Sequence, residues 1–465
     1  MEYENGNLGT ENVKSLLHKL AVPAIISLMV AKMYNMVDTI FVGRAIGSEA
    51  IGALTISLPM QTLIIAIAVM IAAGSSSVSA RCFGSNNPEK AKTVAANGIL
   101  VCIIFSCIVI FLGYIFLDEI LMVLGSNNEL LVYAKDYMSI VLIGGFLNTF
   151  TIVIPELIIA SGNSKVSMKA TIIGAITNII LDFILVIILP FGVKGAAYAT
   201  ITGQLLSSIY VLKNFIVNKS SVYKLNISHF KLNINIIKEI LSVGLSAFII
   251  DASDAIMVIV LNRIVGNLMG TMGITIVGII TKVYLFMDIT VIGITTGMQP
   301  IASYNYGALR YNRVINVLKY SIKSILIFST LLWICQLVFA KNIVGLFVSN
   351  SLGVSVEAAK TLRIALSLFP ISGLYFVATY FYQSIGKSKI AFGFSILKQI
   401  LIFSPLVCIL GYGTGLGISG VWLAFPITDA IVALISFIFL KKSIRELGLK
   451  KTSEMKKKVF QYMHS

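Results

Sequence analysis

From Leu20 to Leu440 the chain is a near-continuous succession of apolar stretches, broken only by short clusters of Lys, Arg, Gly and Asn. A helix that crosses a bilayer needs roughly 20 consecutive apolar residues. Twelve stretches meet that length, at 20–42, 51–74, 93–116, 135–155, 166–190, 193–216, 238–262, 274–298, 316–340, 358–382, 390–412 and 418–440. The pattern predicts an all-α polytopic membrane protein with twelve transmembrane helices. Composition agrees: only 12% of residues are charged, against roughly 25% in a soluble domain. Mean hydropathy is +0.93, and too little polar side chain is present to cover a water-facing surface.

The chain carries 36 Lys and Arg against 20 Asp and Glu, a net charge of +16. Nucleic acid is the first partner such a charge suggests. The cations, however, sit between the apolar stretches and at the C-terminus (Lys441, Lys442, Arg445, Lys450, Lys451), not in one stripe interleaved with aromatics. No nucleic acid is expected. Cytoplasmic loops of membrane proteins are enriched in Lys and Arg. With the N-terminus inside, the inner loops carry Arg81, Lys90, Lys92, Lys165, Lys169, Arg310, Arg313, Lys387 and Lys389, and the outer loops are poorer. Both termini are therefore expected in the cytoplasm. The longest polar connection, 217–237, reads as a cytoplasmic linker between an N-terminal six-helix lobe (1–216) and a C-terminal six-helix lobe (238–440). Residues 441–465 read as a basic cytoplasmic tail.

Several chemistries find no support. The five cysteines show no CxxC spacing, so neither a disulfide framework nor a thiolate metal site is expected. His18, His229 and His464 all lie outside the apolar runs, which leaves no His-based catalytic centre within them. No Walker A sequence appears, and no enzyme activity is expected. Residues 1–19 are polar and show no cleavable signal peptide.

The two halves resemble each other at a shift of roughly 224 residues, a reading made by aligning matching motifs. AlaSerGlyAsnSerLysVal at 160–166 recurs as SerIleGlyLysSerLysIle at 384–390, and GlyValLysGlyAlaAlaTyrAla at 192–199 as GlyIleSerGlyValTrpLeuAla at 417–424. Phe83-Gly84 recurs as Tyr306-Gly307. Two six-helix lobes in the same orientation make a pseudo-symmetric parallel repeat, an arrangement used by secondary transporters.

Ionisable residues inside a span are costly and point to function by default. They are Lys32, Asp38, Glu156, Asp182, Asp251, Asp254, Lys282, Asp288, Lys398 and Asp429. Asp38 shares a helix face with Asn35 and Tyr34, three and four residues earlier, and Asn178 and Asp182 form an i,i+4 pair. A carboxylate with amide and hydroxyl neighbours can take a proton or a small cation, so Na+ at Asp38/Asp182 is one reading and a structural polar tie the other. Asp251 and Asp254, three apart, can face one cavity. Asp288, Lys282, Lys398 and Asp429 read as buried ties to one another, with Asp288 and Gln299 also candidates for lining a substrate cavity. Glu156 follows Pro155, which bends its helix; it could line an inward vestibule or sit as an interfacial charge.

TyrAsnMetValAspThrIlePheValGlyArg at 34–44, with IleGlySerGluAlaIleGlyAlaLeu at 46–54, resembles the first-span signature of multidrug and toxic compound extrusion (MATE) transporters. AsnIleIleLeuAsp at 178–182, SerGlyAsnSerLys at 161–165 and GlyValLysGlyAlaAlaTyrAlaThr at 192–200 match in the same order. The resemblance covers about residues 15–440 and is nearest the bacterial DinF/MepA-like branch. It implies secondary active efflux of lipophilic cationic drugs and dyes in exchange for H+ or Na+, by alternating access, with no other cofactor. It implies a monomer in the bacterial inner membrane. It implies that Asp38, Asn178, Asp182 and Thr200 form the coupling site, and that Asp254 lies where some Na+-linked relatives carry a seventh-span acid. One departure stands out: the fourth span ends IleAlaSerGly at 159–162, where the family often has Arg-Ala-Glu-Gly, and Glu156 is the nearest acid. A lipid-linked oligosaccharide flippase of the same superfamily is the alternative.

Overall fold

The computed structural model describes residues 6–463 apart from 125, 127, 218–221 and 348–351. Positions 218–221 of the expected linker, and His464, lie outside the described residues. Among the described residues the fold is all-α, with a helix for each of the twelve apolar stretches. In the N-terminal half these are α1 (Val13–Ala45), α2 (Ser48–Gly84), α3 (Pro88–Ile115), α4 (Asn128–Ala160), α5 (Ser164–Asp182, prolonged by a π-helical turn at Phe183–Ile188) and α6 (Gly192–Leu212). A single 74-residue helical run, Ile234–Gly307, is broken at Gly270 (φ 61°, ψ −150°). That break divides it into α7 (234–269) and α8 (271–307). Then follow α9 (Tyr311–Gly345), α10 (Leu352–Ser384, bent), α11 (Ser388–Gly413, part π-helical) and α12 (Ile418–Met463).

The bend in α10 is 47°, between 353–365 and 369–384. It falls beside Pro370, which has no N–H to continue the ladder. Local chemistry starts several helices. The Asn12 side chain accepts from the backbone of Lys14 and Ser15 at 3.0 and 3.4 Å, Asn87 accepts from Lys90 at 3.1 Å, and Asn233 accepts from Asn235 and Ile236 at 3.1 and 3.2 Å. Each satisfies N–H groups that the first helical turn leaves without a partner.

The helices gather into two compact units. One comprises residues 22–244 with the first ten residues; the other comprises 245–465 with the short segment Glu11–Ala21. The duplication is written into their turns. Positive φ recurs at Gly47 and Gly270, Asn86 and Leu309, Gly162 and Gly386, and Gly192 and Gly417, each pair 223 to 225 residues apart. Four inter-helix turns thus repeat their backbone as well as their place in the chain.

The outer face is inverted relative to a water-soluble protein. Phe111, Ile259, Val338 and Leu434 are each more than half exposed, whereas Ser75, Ser76, Ser77 and Ser79 of α2 are buried. Lipid tails accept the first group, and close helix packing uses the second.

The residues after α6 are fastened to the first unit. Tyr223 is fully buried; its hydroxyl donates to the Leu157 carbonyl (3.0 Å) and bonds Ser79 (2.9 Å). Its ring packs edge-on against Phe83 and tilted against Phe215. Asn97 donates to the Lys231 carbonyl and accepts from the Asn233 N–H, at 3.1 and 2.8 Å. His229 bonds Glu89 at 2.9 Å. At the other end of the chain α12 runs on past Leu440 as one helix, where Ser443 bonds Tyr382 (2.7 Å) and Glu446 pairs with Lys387 (3.1 Å).

Leu309 holds φ +57°, a left-handed conformation that costs a non-glycine residue about 1–2 kcal/mol and that Asn tolerates better. Its repeat partner is already Asn86. Leu309→Asn is expected to stabilise the protein by about 1 kcal/mol, read as a raised melting temperature in detergent; an unchanged or lower value would show that the Leu309 side chain contributes more than its backbone costs.

Candidate functional site

In the first unit, the centre of the bundle is built on α1 and α5. Ser27 of α1 and Thr171 of α5 share a hydrogen bond of 2.7 Å. Asp38 lies eleven residues beyond Ser27, and Asp182 eleven beyond Thr171. Eleven residues are close to three full helical turns, so the clasp returns to the same face of both helices at the two acids. The two carboxyls lie near each other. Asp38 is 7% exposed and Asp182 0%.

Helix α6 completes the arrangement. Gly203 lets it approach α5 closely, where a Cβ would meet the Gly174 carbonyl and the side chain of Asn178. One turn earlier on α6, Thr200 accepts a hydrogen bond of 3.4 Å from the Asn178 amide. Of the four residues that sequence reading grouped through the resemblance, Asn178 bonds Thr200, and Asp38 lies near Asp182. Sequence reading did not single out Tyr137 of α4, a buried residue near Asp38 and Asp182. The one sequence signal for Tyr137 was a phenol near the start of an otherwise apolar span. Tyr34 is half-buried beside Asp38. Asn35 is exposed and donates to its own helix at the Ala31 carbonyl (2.8 Å).

The site is short of donors. Asp38 Oδ1, Asn178 Oδ1 and both oxygens of Asp182 are buried with no hydrogen-bond partner. Two carboxylates at this separation repel, and burial penalises each charge further.

The second unit holds a separate polar cluster. Lys398 of α11 pairs with Asp429 of α12 at 3.0 Å and donates to the Tyr284 hydroxyl of α8 at 2.6 Å. Gln399 donates to Asp254 of α7 at 2.7 Å. Asp288 is buried nearby, within range of the charges of Lys398, Asp254 and Asp429. The expected tie of Lys398 to Asp429 is present. Lys282 does not join it: its ammonium lies over the Phe347 ring, 5.7 Å from the centroid. Six residues separate it from Asp288, and at 100° each they turn it about 240° around α8. Asp251 is half-buried one turn before Asp254. Gln299 is engaged elsewhere, bonded at 3.5 Å to Gln383, which in turn donates to Ser246 at 2.7 Å. Glu156 is half-buried beside Pro155 in the first unit and has no hydrogen-bond or ion-pair partner among the described residues.

Comparison with known proteins fits this architecture. The MatE family model matches the chain twice, at 23–184 and 248–409, once in each half. The chain belongs to the MatE family. Similar relatives of this MatE protein include the multidrug export protein MepA of Staphylococcus aureus strain N315, 25% identical over 427 residues, and that of Staphylococcus saprophyticus, 23% identical over the same length. Each alignment covers 92% of this chain and 93% of the relative. Similar solved structures include a MATE protein in the bent conformation (TM-score 0.90, 24% identity, 97% of this chain and 99% of that one). Another is an outward-facing MATE transporter of the MOP superfamily (TM-score 0.90, 24% identity, 95% and 98%). The twelve-helix MatE fold is the fold of this chain, and its sequence repeat is the duplicated MatE domain.

The geometry of the acid pair makes a stability prediction. Asp38→Asn and Asp182→Asn each keep the side-chain shape and remove the repulsion. Each is expected to melt at or above the wild-type temperature in mildly alkaline detergent solution. A clear fall for both would mean that the pair is a stabilising tie and not a strained site.

Proposed function

We propose that this protein is a secondary active multidrug efflux transporter of the multi-pass membrane type. It exports lipophilic cationic small molecules and takes in H+ or Na+ by alternating access. The observation that carries the reading is the Asp38–Asp182 pair: two buried carboxyls facing each other across α1 and α5, with unpartnered oxygens, in a chain of the MatE family. The names of the staphylococcal relatives, multidrug export proteins, supply the substrate class.

In this reading the imported cation neutralises the acid pair. Asn178, bonded to Thr200, lies one turn before Asp182 on α5, and Tyr137 lies near both acids. Occupied and empty states of the site differ by a full buried charge, which is worth several kcal/mol in a low-dielectric interior. That difference is large enough to bias the equilibrium between two conformations of the transporter. Acids elsewhere in apolar surroundings, Glu156 among them, attract substrates that carry positive charge. The coupling ion is cargo, and the chain performs no covalent chemistry.

The experiment is efflux of a lipophilic cationic dye such as ethidium from proteoliposomes under an imposed pH or Na+ gradient. Wild type is expected to transport. Asp38→Asn, Asp182→Asn and the double variant are expected to fall to the level of protein-free liposomes while inserting normally. Full transport by the double variant would remove this pair from the mechanism. Failure of the wild type across a broad panel of cations would favour the flippase reading.

Orientation follows from the Lys and Arg distribution, with both termini in the cytoplasm of a bacterial cell. Single cysteines introduced beside Lys224 and Lys387 are expected to be shielded from impermeant thiol reagents in intact cells, and one beside Lys194 to react. Labelling beside Lys224 from outside would reverse the topology.

A further inference from the structure

We infer that the cluster around Lys398 is a second proton-binding site, in which Asp288 carries the proton and Lys398 is a tethered cation that limits the site to one. The inference concerns a different unit from the Asp38–Asp182 pair and does not depend on that pair's role.

The cluster draws on five helices. Asp254 comes from α7, Tyr284 and Asp288 from α8, Tyr375 from α10, Lys398 and Gln399 from α11, and Asp429 from α12. A π-helical stretch, Leu397–Phe403, replaces the regular turn of α11 at this point. Such stretches recur at functional sites, and here Lys398 and Gln399, adjacent in sequence, both engage the cluster. The Lys398 ammonium is held by Asp429 and the Tyr284 hydroxyl, with the ring centroids of Tyr284 and Tyr375 5.2 and 5.6 Å away. The Asp429 carboxylate, the Tyr284 hydroxyl and the Tyr375 ring form a box for a cation, and the protein's own lysine fills it.

Charge counting then singles out one acid. Three carboxyls, Asp254, Asp288 and Asp429, face a single ammonium. Asp429 is neutralised by Lys398. Asp254 is half-buried and accepts from Gln399. Asp288 is 8% exposed, and its Oδ1 is buried with no hydrogen-bond partner among the described residues. A bare carboxylate in that position is costly; a proton on Asp288, taken from water and returned to it, removes the cost. A metal ion fits less well, because among the described residues no three Asp, Glu, His or Cys side chains converge as metal ligands.

The test uses the full-length protein purified in detergent, in the Asp38→Asn/Asp182→Asn background so that the first site is silent. Infrared difference spectra count protonated carboxyls at neutral pH. Asp288→Asn is expected to remove one protonated carboxyl. Lys398→Met is expected to add one, because Asp429 loses its counter-ion, and Lys398→Arg is expected to leave the count unchanged. Added Na+ is expected to have no effect. An unchanged count in Asp288→Asn would overturn the inference and leave a structural tie. A protonated-carboxyl signal that Na+ abolishes would overturn it in favour of a metal-cation site. Should Lys398→Met fail to give monodisperse protein, Asp288→Asn and Lys398→Arg still decide.

Discussion

A carboxyl group buried among apolar helices has to find a partner, a proton or a cation. An unpaired charge in so apolar a surround is too costly to keep. Much of the functional chemistry of this protein follows from that constraint. The chain places Asp38, Asp182, Asp254, Asp288 and Asp429 inside its apolar bundles and supplies one lysine, Lys398, that pairs with any of them. Asp254 and Asp429 have partners; Asp38, Asp182 and Asp288 keep buried oxygens that nothing among the described residues satisfies.

The scaffold that holds them was largely legible in the sequence because its signal is one-dimensional. Length and hydrophobicity of a run decide whether a helix can span, and each of the twelve runs became a helical segment. Turn chemistry was legible for the same reason: the GlyAsnSerLys motif at 162–165 and its repeat at 386–389 end a helix with a left-handed glycine at the same place in each half. Helical spacing placed Asn178 and Asp182 on one face whatever surrounds them, whereas the grouping of Asp38 with them came from the resemblance.

What spacing could not give is which face meets which helix. The Ser27–Thr171 clasp joins residues 144 positions apart, and neither side chain stands out from other Ser and Thr in membrane helices. Tyr137 belongs to the site only because α4 packs where it does. The pairing of Lys398 with Asp429, and the exclusion of Lys282, were decided by rotation about helix axes, to which an error of two residues is fatal. The π-helical turns after Asp182 and at Lys398 alter that rotation further, and nothing in a hydropathy pattern marks them.

The duplication itself divides in an informative way. The backbone repeats, down to left-handed turns at four paired positions, but the buried charges do not. Carried across by the same shift, Asp38 falls among Leu261, Asn262 and Arg263, and Asp182 falls at Leu406 or Val407. In the reverse direction Asp288 falls at Ile65, Lys398 at Ile173 or Gly174, and Asp429 at Gln204. Helix packing constrains both halves to one architecture, since small residues and turn glycines are needed wherever helices touch. Charge placement is free of that constraint and has diverged. The first unit holds two acids and no lysine at its centre; the second holds three acids around one. Two units with the same charge would bind the same cation with the same affinity. With different charge, one scaffold presents two polar clusters of different chemistry.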